Sequence, residues 1–271
     1  ENVRILGVLQ RIALCYFFAS VIIYYGKSRM ALFIGMMILV IYWVLSFALG
    51  AAGHPYSLSG YFGNAIDFNI LGISHIYKGE GVPFDPEGLT STLPAIVQVI
   101  FGFLVGEYIQ LKGKNFEMLA KLLLTGVVLV LVGFIWDFSF PINKKIWTSS
   151  YVFYTSGLAI VTLSMFIYLL EFNNAKGKWS QFFDVFGKNP LFIFVLSGFL
   201  PRVLALLRWV DHVDEKGEPV YTNALPWFYQ HVCKDVASDL RIGSLLYALC
   251  IIAFMGAIAY LLDKKKIYIR V

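Results

Sequence analysis

Seven runs of mostly apolar residues leave this chain few folds to choose from. They lie at about 6–25, 31–50, 89–110, 118–137, 151–170, 188–206 and 241–262. Each is near the roughly 20 residues that a helix needs to cross about 30 Å of hydrocarbon. Lipid offers no partner to an open backbone N–H or C=O, so every run is expected to be an α-helix. Composition agrees: 59% of the residues are hydrophobic and 14% charged, where a soluble domain carries nearer to about 25% charged. The expected fold class is all-α, a polytopic transmembrane helix bundle forming one domain over 1–271. A lipid bilayer surrounds it, and homo-oligomer formation is left open.

In such a chain the net charge of +5 reads as a topology signal and not as a nucleic-acid footprint. Lys and Arg are dense in the short segments 26–30, 111–117, 171–187 and the tail after 262, and sparse in 51–88, 138–150 and 207–240. The first set is therefore expected in the cytoplasm, with the C-terminus, and the polar loops 51–88 and 207–240 face outward. Trp147, Tyr151, Trp227 and Tyr229 fit interfacial anchors. Cys15 and Cys250 lie in apolar runs and Cys233 in a polar stretch, a pattern without a disulfide framework. The chain opens on Glu1, with neither an initiator Met nor a signal peptide, and is expected to be a piece of something longer.

Polar residues near or inside the apolar runs carry whatever chemistry there is. Arg11, in Gly7-Val8-Leu9-Gln10-Arg11-Ile12-Ala13, sits within the first run. An intramembrane Arg costs at least a few kcal/mol unless it is paired or faces water. It is expected to hold an anionic group, to pair with Asp67, Asp85 or Glu87, or to snorkel. Asp85 and Glu87 flank Pro86 just before Leu89. They read either as first-turn helix carboxylates or as a site at the mouth of the bundle. His75 is the His nearest to them, a candidate base or substrate contact. No His or Cys spacing suits a metal, so none is expected. Asn143, Lys144 and Lys145 beside Trp147 could bind a sugar or polyanion, or anchor the loop. Lys188 and Asn189 open the sixth run before Pro190; Asn189 suits a cap, and the pair suits a phosphate at a helix start.

Taken in order, four words resemble one family. They are Gly7 to Ala13; Asp85-Pro86-Glu87-Gly88-Leu89 with Ser91 to Pro94; Pro141-Ile142-Asn143-Lys144-Lys145 with Trp147 to Tyr151; and Gly187-Lys188-Asn189-Pro190-Leu191. Together they look like the heparan-α-glucosaminide N-acetyltransferase family and its bacterial relatives, some of them labelled N-acetylglucosamine-related transporters. The resemblance implies a membrane acetyltransferase in a bacterial inner membrane. It would move an acetyl group from cytosolic acetyl-CoA to an amino sugar or glycan on the outer side. It matches Gln10, Arg11, Asp67, Asp85, Glu87, Asn143, Lys144, Lys145, Trp147 and Asn189. On these terms Gln10, Arg11, Lys188 and Asn189 are expected to meet acetyl-CoA. Asp85, Glu87 and Asp67 would serve catalysis, and Asn143, Lys144, Lys145 and Trp147 the acceptor; His75 stays a catalytic candidate from its position alone, since it lies in a different loop from the family's catalytic His. The family's catalytic His belongs to a segment before the Leu-Gln-Arg word, and nothing in this chain corresponds to it. A transporter of amino sugars, using the same polar groups without chemistry, is the alternative reading.

Overall fold

The computed structural model describes residues 3–213, 217–236 and 239–269. The chain is an all-α polytopic helical protein. Contacts group the chain into two compact units, Glu1–Asn174 and Ala175–Val271.

The first unit holds α1 (Val8–Leu49), a short α2 (Gly63–Leu71), α3 (Leu89–Lys112), α4 (Phe116–Asp137) and α5 (Ser149–Ile167). α1 is two helices and not one. At Lys27 the backbone turns through φ 53° and ψ 179°, outside any helical region. Packing shows what the break does. Cys15 lies against Thr92 of α3, and Gly35 lies against Val97. On a straight helix those α1 residues would stand about 30 Å apart, yet their partners are five positions apart on α3. The chain therefore doubles back at Lys27, and its two arms are the first two expected spans. Both arms pack on α3, through Cys15, Ala19, Ala31, Ala95 and Ile100, and through Leu39 and Val97.

α4 and α5 pack with almost no side chain between them. A Cβ on Gly133 would stand 2.5 Å from the Tyr154 nitrogen, and one on Gly157 2.6 Å from the Gly126 carbonyl oxygen. Small residues that let backbones meet are the usual device for helix pairing in lipid. Caps set the starts: Asn115 accepts from the Met118 N–H for α4, and Thr148 from the Tyr151 N–H for α5. Residues 51–88 are a packed segment, with Tyr61, Phe62 and Phe84 buried among Tyr42, Phe140 and Ile146.

The second unit holds α6 (Lys178–Lys188), α7 (Pro190–Leu206), α8 (Ala224–Phe228) and α9 (Leu240–Lys264). The sixth expected span is α7, and a bend falls at its start: α6 and α7 meet at 77°, with Pro190 opening α7. Val185, Ile193, Met255 and Ala259 form this unit's core. Within 207–240, β1 (Trp209–Val213) and β2 (Pro219–Thr222) pair antiparallel, an exposed ribbon not anticipated from an all-helical reading. Among the described residues five helices are long and apolar enough to cross a membrane, or six with the bent pair. The doubled arms of α1 account for the remaining difference from seven. Cys15, Cys233 and Cys250 are free, and Cys233 is buried in spite of its polar neighbours.

Candidate functional site

Polar residues of the first unit gather where α3 begins. Gly88 precedes the helix, and a Cβ there would lie 2.0 Å from Asp67 Oδ2. Only glycine lets the carboxylate in. Asp67 Oδ1 then accepts from the Thr90 N–H and hydroxyl, both at 3.4 Å, so a residue of α2 serves the free N-terminal amides of α3. One of the two readings of Asp85 and Glu87 had them in that first turn. They stand before it, because the helix starts only at Leu89.

Asp85 is instead a staple. Its side chain is 0% exposed and pairs with Arg4. Oδ2 accepts from Arg4 Nε at 3.1 Å and the Tyr77 N–H at 3.0 Å. Oδ1 accepts from Arg4 Nη2 and from the Glu87 N–H. Arg4 also pairs with Glu87, which places the two carboxylates on one guanidinium.

Beside this cluster opens a cleft of about 440 Å³ whose lining includes Arg11, Cys15, Glu87, Gln98 and Trp147. Arg11 is 6% exposed. Of the expected roles, pairing with a carboxylate is not what it does; it donates to two carbonyls, Nη1 to Pro86 O and Nη2 to Ser91 O, the latter at 2.7 Å. Its guanidinium carbon sits 4.2 Å from the Trp147 ring centroid, a cation–π contact. Arg11 Nε has no hydrogen-bond partner among the described residues. Buried donors are rarely left so. Trp147 is therefore not only an interfacial anchor. Its φ of 52° is unusual for a bulky residue, and backbone strain of this kind clusters at sites. Its Nε1 donates to Gln98 Oε1 at 3.1 Å.

The other expected residues lie elsewhere. His75 is tied to the chain start, its Nδ1 2.8 Å from Val3 O. Gln10 is exposed and lines no part of the cleft. Asn143 shapes its own turn by accepting from the Lys145 N–H at 2.9 Å. Lys144 is exposed, and Lys145 pairs with Glu80. In the second unit Lys188 pairs with Asp184 at 2.7 Å and Asp263 at 3.0 Å. Asn189 does not cap α7 with its side chain. Fully buried, it exchanges hydrogen bonds with Ile267 O and Ile269 N, fastening the C-terminal segment. Among the described residues no three His, Cys, Asp or Glu side chains come together to hold a metal ion.

Sequence reasoning missed Arg4 and Gln98. Arg4 had a signal, a cation directly before an apolar run; so did Gln98, a lone amide inside one.

Burial raises Asp67 to about 6, against the pull of the Thr90 and Leu89 amides. A carboxyl raised in the folded state stabilises the fold fully below its unfolded pKa of about 3.9 and loses that contribution as pH rises through about 6. The loss is at most about 3 kcal/mol. Asp67→Asn is expected to remove this slope between pH 4 and 7 in thermal unfolding curves. An unchanged slope would assign it to another group.

Fold and site together define a polytopic helical membrane protein with a cation, a carboxylate and an indole around one cleft. Two curated relatives match across the whole chain. The heparan-alpha-glucosaminide N-acetyltransferase of Homo sapiens is 26% identical over 330 residues, covering 100% of this chain and 44% of that protein. The enzyme of the same name from Mus musculus is 24% identical over 330 residues, covering 100% of this chain and 45% of its own length. The chain thus spans less than half the length of the curated relatives it matches. No family model matches it. The chain is distantly similar to heparan-α-glucosaminide N-acetyltransferase, whose family the four words resemble.

Proposed function

We propose that this chain forms part of a membrane acyltransferase that passes an acetyl group from cytosolic acetyl-CoA to the amine of an amino sugar, with residues 51–88 on the acceptor side. The observation that carries the reading is the cleft in which Arg11, Glu87 and Trp147 meet, in a chain whose distant relatives bear an acetyltransferase name. The reaction needs a neutral amine to attack the thioester carbonyl, a carbon–sulfur bond to break, and one proton to move from nitrogen to the departing sulfur. Each role then has a candidate. Arg11 Nε meets an oxygen of the donor. Glu87 holds the ammonium and takes its proton. Arg4 and Asp85 fix where Glu87 stands, and the Trp147 face walls the cleft.

The test is acetyl transfer from radiolabelled acetyl-CoA to glucosamine, comparing the protein of the longest native reading frame with the 271-residue chain. Transfer by the long form supports the reading; transfer by neither, with no acetyl-CoA bound, removes it. One observation favours the transporter alternative. The α6–α7 span is broken by 77°, and discontinuous helices are common in transporters. Sugar uptake into proteoliposomes without acetyl-CoA would decide for transport.

A further inference from the structure

Resting on the acyl-transfer reading, we infer that Gln98 sets the length of the acyl group, by standing between the cleft and a second cavity that a longer acyl chain would enter. Gln98 lines both spaces. On its far side, between α3 and α5, lies a half-open groove of about 190 Å³, with Gly102, Ala159 and Leu163 exposed along it. Phe101, Val105, Ala159, Ile160 and Leu163 supply its walls, with Ser156 the other polar group. An apolar cavity of about 150 Å³ is enough to take up benzene, so this one has room for an acyl tail of about six carbons.

The partition is held in place by a hydrogen-bond order with one solution. The Thr155 hydroxyl donates to Tyr151 O at 2.7 Å, so it accepts from Gln98 Nε2 at 3.0 Å. The amide oxygen of Gln98 is thereby turned to Trp147 Nε1, which can only donate. Trp147 in turn lies under Arg11. A side chain bonded at both ends cannot swing aside to admit a longer tail. Toward the far groove the cleft thus meets an amide, a poor neighbour for added methylenes. The reacting bonds are the same for every acyl length; only the fit of the tail changes.

The test uses the protein of the longest native reading frame with acetyl-, butyryl- and hexanoyl-CoA as donors, reading kcat/KM for each. The parent protein is expected to prefer acetyl over hexanoyl at least tenfold. Gln98→Ala is expected to shift that ratio at least tenfold toward hexanoyl. A second variant adds bulk along the far groove, whose lining includes Gly102. A Cβ on Gly102 meets nothing within 4 Å, so Gly102→Leu grows into free space. Alone it should leave acetyl transfer unchanged, and added to Gln98→Ala it should cancel the shift. Should Gln98→Ala fail to fold, Gln98→Asn, one methylene shorter with the amide kept, is read in the same way with a smaller shift. Acetyl transfer with a length ratio that stays within twofold of the parent in Gln98→Ala, or in Gln98→Asn where it replaces it, overturns the role of Gln98 alone. No acetyl transfer by the parent protein overturns the acyl-transfer reading and this inference with it.

Discussion

Arg11→Ala is expected to lose acyl transfer by at least about 100-fold, the scale on which removal of one preorganised donor is felt, and to destabilise the fold by about 3–5 kcal/mol. The stability loss follows from what Arg11 ties together. Two N–H groups of one guanidinium join Pro86 O and Ser91 O, linking the first arm of α1 to both sides of the α3 start. Each is a hydrogen bond from a charged donor, worth about 1.5–3 kcal/mol. Truncation leaves both carbonyls without that partner and removes the cation from the Trp147 face. Arg11→Lys keeps the charge but has one nitrogen where two are used, so it should recover no more than half of the stability. Thermal unfolding in detergent reads the first effect, and acetyl-CoA titration with turnover reads the second. A folded Ala variant that binds and turns over like the parent would remove Arg11 from the site.

Asp85→Ala is expected to be as damaging to stability, again by about 3–5 kcal/mol, because it breaks a buried pair from one side. The carboxylate accepts from Arg4, Tyr77 and Glu87, so its loss leaves Arg4 with one carboxylate, Glu87, and the Tyr77 ring face, and two backbone N–H groups without their acceptor. Asp85→Asn is no rescue, since an amide presents one acceptor where two oxygens are used. The pair itself is measured by a double-mutant cycle with Arg4→Ala. A coupling of about 1–3 kcal/mol is expected for residues in direct contact. A coupling near zero would mean that Asp85 acts through the backbone amides and that Arg4 is incidental. Since Arg4 also holds Glu87, the same cycle read in turnover shows whether this clamp positions the carboxylate of the cleft.

The helices were legible in the sequence because lipid removes every alternative for an apolar run of that length. The break at Lys27 was equally visible, as a basic gap between two runs, although the helix is continuous in hydrogen-bonding terms on either side of it. The site was legible only as a neighbourhood. An Arg inside an apolar run must have a partner, and acidic residues beside a span must be held by something. Which partner each took was out of reach. Arg11 was matched on paper with Asp67, Asp85 or Glu87 and met carbonyls. Asp85 met Arg4, and Asp67 met the amides of α3. Gln98 became a junction between Trp147 and Thr155.

What the sequence alone determined, then, is that these helices form and where the chain must leave them, because burial of apolar surface and backbone hydrogen bonding depend on composition along a single segment. What only the tertiary structure decided is the pairing of groups that stand 75 to 83 positions apart, as Arg11 with Pro86 and Arg4 with Glu87 do. A hydrogen bond is made or lost within about half an ångström, and distances of that size are set by how helices pack, which no periodicity along the chain encodes.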